Sequence, residues 1–186
     1  MDQTNLLIEL INKSSNWKKL VRVVSLIHKM GKHKSFKVTL ASEDLSSGQE
    51  LLIKAVQQAY LSEELKCLRD SKQVNKQSKV KQLTPFLDEH DQMRVGGRLQ
   101  QGSSMTDNYK HPILIPKETN LAQLLVRHCH ERIYHLGKRS TLSAVREAGF
   151  WIVNGTGLAK RELARCVYCA KIRKPPGEQH MATLPE

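Results

Sequence analysis

The sequence predicts a mainly α-helical protein with a small β-hairpin region and a C-terminal three-helix module, similar to a helix-turn-helix, that zinc stabilises. Apolar residues recur at helical spacing along most of the 186-residue chain, whereas short apolar runs next to proline and glycine dominate residues 83–116. An H-x4-H pair and a C-x2-C pair also occur thirty residues apart near the C-terminus. Such pairs are typical of zinc sites that stabilise a fold.

The composition favours a polyanionic partner. The chain contains 30 lysines and arginines against 18 acids, which gives a net charge of +12 and a pI near 9.7. Such an excess favours nucleic acid over an acidic membrane surface, and a solvated lysine-rich surface is the alternative.

Membrane and secretory signals are missing from the sequence. No apolar run approaches the roughly 20 residues that span a bilayer, and the N-terminal residues lack the basic and apolar regions of a signal peptide. The sequence therefore predicts an intracellular protein with no membrane partner. Its four cysteines are interpreted as thiols or metal ligands rather than disulfides.

Residues 1–70 are predicted to be helical. Ser14-Ser15-Asn16 can cap a helix that ends near Gly31, and its apolar face consists of Trp17, Leu20, Val21, Val24 and Ile27. Ser47-x-x-Glu50 has the pattern of a capping box and predicts a second helix, which continues through residues 62–68. Residues 71–82 are polar and basic and predict a linker.

Residues 83–116 predict a short β region. Two apolar runs, 83–87 and 93–95, flank five polar residues and indicate a hairpin. A third run lies between Pro112 and Pro116. Because proline cannot donate a ladder hydrogen bond, this strand is expected at the edge of the sheet.

Residues 117–174 return to helical spacing and predict three short helices, followed by a tail at 175–186. Each helix start is marked by a residue that can cap or open it, namely Thr119 or Asn120, Ser140 or Thr141, and Leu158. The last helix is expected to hold the C-x2-C pair at its end.

Four residues of this module form a complete ligand set for one structural Zn²⁺: His130, His135, Cys166 and Cys169. Two imidazoles and two thiolates fill a tetrahedral shell, which excludes a catalytic water. A module this small often needs a metal to be stable. Two alternatives remain open. The C-x2-C pair could be a redox dithiol, and His130 could be replaced as a ligand by His128 or Cys129.

The zinc module is also densely basic. Between His130 and Lys174 the sequence contains ten lysines and arginines and three glutamates. With no base-reading motif, we expect weak, sequence-tolerant contacts to phosphates, made by Lys138, Arg139, Arg146, Lys160, Arg161, Arg165, Lys171, Arg173 and Lys174. The alternative is a solvated rim without a ligand.

The ligand set and its surroundings resemble the His-His-Cys-Cys N-terminal domain of retroviral and retrotransposon integrases, in the version found in Pao/BEL-type elements. The similarity includes Leu124-Leu-Val-Arg-His-Cys-His130-Glu-Arg-Ile-Tyr-His135-Leu-Gly137, Phe150-Trp-Ile152 and Arg165-Cys-Val-Tyr-Cys169. Upstream, Leu83-Thr-Pro-Phe-Leu-Asp88 is similar to the segment that precedes integrase in Pao polyproteins. Residues 17–24 look like the end of the connection from the ribonuclease H region of such polyproteins. One departure is Asp91, where the family's hairpin often has glycine.

The resemblance implies a non-catalytic part of a DNA-integration system. In this family a ribonuclease-H-like core follows the zinc domain and holds two metals with two aspartates and a glutamate. No aspartate follows Asp107 here, so we expect no enzyme activity. The chain is interpreted as an integrase-like module, from an element's polyprotein or a derived host gene, that binds nucleic acid, expected to be duplex DNA, and/or mediates integrase multimerisation. The alternative is a stand-alone protein–protein interaction module.

Overall fold

The computed structural model describes residues 3–33, 39–96, 107–173 and 177. Within these residues the chain forms nine α-helices and four short β-strands, which confirms the mainly helical fold with a small β region. The helices are α1 (Gln3–Lys13), α2 (Trp17–His33), α3 (Ser42–Tyr60), α4 (Ser62–Arg69), α5 (Asp107–Lys110), α6 (Asn120–Arg132), α7 (Lys138–Glu147), α8 (Gly155–Ala164) and α9 (Val167–Arg173). The strands are β1 (Phe86–Leu87), β2 (Met93–Arg94), β3 (Ile113–Ile115) and β4 (Phe150–Ile152).

Helix α2 begins where the sequence predicts it. The side chain of Asn16 accepts a hydrogen bond from the backbone N–H of Lys19 at 3.0 Å and caps the helix. Four of the five residues on its predicted apolar face are buried, whereas Ile27 is 52% exposed. Helix α1 lies in the region predicted to be helical, although its bounds were not predicted separately, and it packs with α2 against α3.

Helix α3 begins five residues before the predicted capping box. Asp44 accepts a hydrogen bond from the backbone N–H of Ala41 at 2.8 Å and adds negative charge to the first turn. Ser47 lies inside the helix, where its hydroxyl donates to the carbonyl of Glu43 at 3.0 Å. The prediction that Ser47 caps this helix is wrong, because the acidic turn upstream provides an earlier start.

The predicted hairpin is confirmed, but the predicted edge strand is wrong. β1 and β2 pair antiparallel, and the strand order β1-β2-β3-β4 places β3 inside the sheet. β3 pairs antiparallel with β2 and parallel with β4, a strand that the sequence did not predict. Pro112 and Pro116 flank β3 without interrupting it, so the backbone N–H groups between them can still join the ladder.

Gln57 attaches α3 to this sheet. Its amide nitrogen donates to the carbonyls of Met93 and Leu114 at 2.9 and 2.8 Å, and its amide oxygen accepts the N–H of Met93 at 2.8 Å. The side chain is buried with these three bonds made. One glutamine therefore fixes the N-terminal helices against two neighbouring strands.

The main hydrophobic core crosses the boundaries of the predicted domains. Side chains of α1, α2 and α3 pack in one cluster with those of β3, α6, α7, β4 and α8. A second cluster lies between α4, the hairpin and the 71–82 segment, where Val74 and Val80 are buried. A short 3₁₀ turn (Lys81–Leu83) ends that segment. The division of the chain into domains stays a prediction.

The helices of the C-terminal module begin earlier than predicted, except α6. Thr119 caps α6, and its hydroxyl accepts the N–H of Ala122 at 3.2 Å, which confirms that start. Helix α7 follows Gly137 (φ 90°), so neither Ser140 nor Thr141 is its cap. Helix α8 begins at Gly155 rather than near Leu158.

The module also contains one helix more than predicted. Helix α8 ends before the two cysteines, and the separate seven-residue helix α9 contains Cys169. None of the helices in the described residues is both long and apolar enough to cross a membrane.

Candidate metal centre

The end of α6 places both histidines on one side of the module. His130 lies in the last turn of α6 and is 3% exposed. Tyr134 and His135 then adopt left-handed backbone conformations, with φ values of 54° and 63°. The N–H of His135 bonds the carbonyl of His130 at 3.0 Å, so the chain curls back and returns the second imidazole to the first. Two consecutive non-glycine residues with left-handed φ values strain the backbone. A further interaction is therefore needed to stabilise the loop.

The two cysteines approach from the other side, through the junction of α8 and α9. The N–H of Cys166 bonds the carbonyl of Leu163 at 3.3 Å, and the carbonyl of Cys166 accepts the N–H of Ala170 at 2.9 Å. Cys166 therefore ends one helix and begins the next. One turn further on, the buried side chain of Cys169 lies beside the histidines.

The four predicted ligands form a cluster of tetrahedral size. Nδ1 of His135 lies 3.0 Å from Nε2 of His130, 3.3 Å from Sγ of Cys166 and 3.8 Å from Sγ of Cys169. Nε2 of His130 lies 3.2 Å from Sγ of Cys169, and all four ligand atoms lie within 4.8 Å of one another. In a tetrahedron with zinc–ligand bonds of about 2.0–2.3 Å, ligand atoms are about 3.3–3.8 Å apart. The residues present therefore fit a four-coordinate metal ion.

Thr141 orients the first imidazole. Its hydroxyl donates to the carbonyl of Gly137 at 2.7 Å and lies 3.1 Å from Nδ1 of His130. Because the hydroxyl proton is already used, Nδ1 is assigned as the donor to Thr141. Nε2 of His130 then presents its lone pair to the centre of the cluster. This arrangement is the usual second hydrogen bond of a metal-binding histidine, and it was not predicted from the sequence.

The surroundings lower the pKa of His130. Burial is the largest cause, neighbouring His135 and Arg173 lower the pKa further, and Glu131 raises it. Burial also raises the pKa of the Cys169 thiol, as does the neighbouring Cys166, whereas Arg173 lowers it. A neutral imidazole is ready to bind a metal, but the thiols must first release protons, so metal affinity depends on pH.

The structure separates the rival ligands from the cluster. Cys129 is 1% exposed and belongs to the main hydrophobic core, and burial raises its pKa to about 11. It behaves as a small apolar side chain. His128 is partly buried, outside the four-residue cluster. For the C-x2-C pair, its position at the start of α9 is compatible with a redox dithiol, but the two adjacent imidazoles favour a metal site.

The predicted phosphate contacts are spread over three helices. All of those that the structure describes are exposed: Lys138, Arg139 and Arg146 on α7, Lys160 and Arg161 on α8, Arg165 just after it, and Lys171 and Arg173 on α9. Lys174 lies outside the described residues. The guanidinium of Arg146 lies over the ring of Trp151, 4.7 Å from its centre.

Glu162 forms ion pairs with part of this positive charge. Its carboxylate, with a side chain 1% exposed, accepts a hydrogen bond from Arg127 at 2.7 Å. Arg161 and Arg165 each approach the same carboxylate at 3.6 Å. From the sequence alone, Glu162 is only one of three acids that oppose the positive charge of the module. Its spacing of three residues from Arg165 indicates contact, but its pairing with Arg127 on α6 depends on the tertiary fold.

Exposed apolar side chains lie within three residues, along the chain, of the metal ligands. We call this surface the zinc-loop patch: Tyr134, Leu136, Val167, Tyr168 and Ile172. These side chains are 55–86% exposed. The ring of Tyr168 stacks on that of His135 at 4.4 Å, which joins the loop after α6 to helix α9. This patch was not predicted from the sequence, because short segments around cysteines give no helical period of their own.

Comparison with protein-family models, with curated proteins and with solved structures finds no match to this chain. The cluster supports a metal site. The type of metal is inferred from the ligands, because two imidazoles and two thiolates in a tetrahedron are typical of zinc.

Proposed function

We propose that this chain is a non-catalytic, integrase-like zinc module of retroelement origin that binds nucleic acid through the phosphate backbone. The observation that supports it most is the closed cluster of His130, His135, Cys166 and Cys169, in the order and spacing of the family that the sequence resembles. The bound zinc would join the end of α6 to the start of α9 and so hold the basic helices in place.

The ligand set accounts for the absence of catalysis in the proposal. Two histidines and two cysteines occupy all four positions of a tetrahedral zinc, whereas a catalytic zinc keeps one position for water. The metal would then contribute to folding. The aspartates and glutamate that the family uses for strand transfer belong to a core that would follow this module.

Exposed lysines and arginines that outnumber the nearby acids support nucleic acid as the partner. Lys138 and Arg139 open α7, where the helix dipole also favours an anion, and Lys160 adds to the charge of α8. Since no base-reading motif was identified, we expect contacts to phosphates that differ little among sequences. Such contacts give an affinity that falls steeply with salt.

A salt titration tests this binding mode. We expect the double variant Lys138→Ala/Arg139→Ala to weaken binding to unrelated DNA duplexes by similar factors. If both side chains contact phosphates, the slope of log affinity against log salt should fall by about 1.8. These residues suit the test better than Arg161 and Arg165, whose removal would also deprive buried Glu162 of partners.

Lys18→Ala/Lys19→Ala is the matched control, because it removes the same charge from exposed positions on α2. Binding should persist in this control. If both double variants change affinity and slope equally, the charge acts only as a general basic surface. No measurable binding by the zinc-loaded wild type at low salt would contradict the proposal.

A further inference from the structure

The zinc-loop patch concentrates apolar surface in a very short stretch of chain. Eleven large hydrophobic side chains are exposed in the described residues, and five of them lie within residues 134–136 and 167–172. Single exposed apolar residues are normal on protein surfaces, but a contiguous group is typical of an interaction site. The patch therefore needs an explanation beyond the packing of the module itself.

One ring contact joins the two halves of the patch. Tyr168 stacks on His135, whose neighbours along the chain are Tyr134 and Leu136. Within α9, Tyr168 and Ile172 are four residues apart and so share one face, while Cys169 turns into the metal cluster. The same four ligands that hold the loop and α9 together thus also bring the two halves of the patch together.

The rim of the patch is strongly basic. Residues 131–139 and 165–173 contain six lysines and arginines and one acid, Glu131. On α9, Lys171 lies beside Val167 and Ile172 by helical position, so positive charge borders the apolar face directly. A surface with an apolar centre and a cationic border is complementary to a segment with apolar and acidic faces.

The same charge argues against a second copy of the chain as the occupant. Two identical patches would place basic rims against each other in a chain that already has a net charge of +12. The phosphates of a nucleic acid would pair with the basic side chains of the rim. They would leave the aliphatic side chains of Leu136, Val167 and Ile172 without an apolar partner.

We propose that the zinc-loop patch docks an acidic amphipathic helix of a partner protein. The apolar face of that helix would cover the five patch residues, and its carboxylates would meet the surrounding lysines and arginines. The apolar centre of the patch is distinct from the phosphate contacts proposed above, whereas its basic rim includes five of them: Lys138, Arg139, Arg165, Lys171 and Arg173.

Selection from a displayed library of random peptides tests the proposal. The bait is the full-length, zinc-loaded chain, and peptides of about 16 residues allow roughly four helical turns. We expect enriched peptides to have net negative charge and apolar residues at spacings of three and four. The best peptide should bind Leu136→Ser/Ile172→Ser at least about tenfold more weakly. Its version with amides in place of the acids should also bind more weakly.

Leu6→Ser/Ile27→Ser is the matched control, since it removes two similarly exposed aliphatic side chains on α1 and α2. This control should bind the peptide as the wild type does. Zinc content and thermal unfolding of each variant are measured first, so that loss of the fold is not mistaken for loss of docking. DNA affinity of Leu136→Ser/Ile172→Ser should equal that of the wild type, whether that affinity is high or absent.

Four results would overturn the proposal. Enrichment of neutral or basic peptides would do so, as would failure to enrich any peptide that depends on the patch. Self-association of the wild type that Leu136→Ser/Ile172→Ser abolishes in sedimentation would identify a second copy as the occupant. A loss of DNA affinity in that variant would make the patch part of the nucleic-acid interface instead.

Discussion

At the scale of single residues, His130 is constrained at both of its ring nitrogens. It lies in the last turn of α6, donates from Nδ1 to Thr141 and faces Cys169 and His135 with Nε2. A buried imidazole that meets both requirements has one ring orientation and one tautomer available. The fixed orientation lowers the cost of organising the metal site when the ion binds.

Replacing Thr141 by valine tests this constraint. The side chain keeps its shape but loses the hydroxyl, so His130 loses its acceptor and the carbonyl of Gly137 loses a donor. We expect zinc affinity, measured by competition with a chelator, to fall by about 10–100-fold. Thr141→Ser retains the hydroxyl and should bind zinc nearly as tightly as the wild type. Equal affinities for the valine and serine variants would mean that the hydrogen bond does not orient the ligand.

The roles of single residues were also predicted from the sequence better than the elements or the overall packing. Histidine and cysteine have few roles that require them in this spacing, so the pattern identified all four members of the cluster. Asn16 and Thr119 were identifiable as caps because capping is a local hydrogen bond. Thr141 was assigned to the wrong role, since its hydroxyl serves a histidine that is distant along the chain.

At the scale of elements, α6 and α8 are joined by a buried charge. The carboxylate of Glu162 on α8 accepts from Arg127 on α6 and approaches two further arginines. One Glu162 oxygen, Oε1, has no hydrogen-bond partner among the described residues. The carboxylate therefore stabilises the helix pair mainly through Arg127 and also attracts part of the positive surface charge.

Changing Glu162 to glutamine should act on stability and on DNA binding in opposite directions. The isosteric amide weakens the contact with Arg127, and we expect the free energy of unfolding to fall by about 1–2 kcal/mol, since the arginine is partly exposed and screened. Arg161 and Arg165 lose an opposing charge, so DNA affinity at low salt should rise. Glu147→Gln, on the exposed side of α7, is the charge-matched control for stability. An unchanged or lower DNA affinity in Glu162→Gln would show that these two arginines do not contribute to binding.

Elements that form only by pairing with segments distant along the chain could not be predicted from the sequence. The run Phe150-Trp151-Ile152 is three residues long, too short for any period to distinguish strand from helix or coil. It becomes β4 because β3 lies beside it in parallel register, a pairing between segments more than thirty residues apart. The same pairing makes β3 an interior strand, so the error about its edge position and the omission of β4 have one cause.

At the scale of the whole molecule, the N-terminal helices and the C-terminal module share a core. Trp17 at the start of α2 meets Phe150 of β4 edge to face, with ring centres 6.1 Å apart. Gln57 of α3 bonds both central strands, and α2 also packs on α6. From the sequence alone, loss of zinc would be expected to unfold residues 117–174 while leaving the N-terminal helices largely intact. The shared core leads to a different expectation.

We predict that removal of zinc destabilises both halves together. The two tryptophans report on different parts of the molecule: Trp17 on α2 and Trp151 on β4. Variants that keep one tryptophan, Trp151→Phe and Trp17→Phe, allow each part to be followed by fluorescence in urea. With excess chelator, both reporters should show unfolding midpoints lowered by a similar amount, on the order of 1 M or more.

The cysteines provide the control for this last prediction, because only two of the four lie in the metal cluster. Cys166→Ser should reproduce the effect of the chelator, whereas Cys67→Ser, outside the cluster, should keep one zinc per chain and the midpoint of the wild type. If the Trp151 reporter shifts with chelator while the Trp17 reporter does not, the N-terminal helices form an independent unit. The packing of Trp17 against Phe150 would then contribute little to cooperativity, despite its position in the main core.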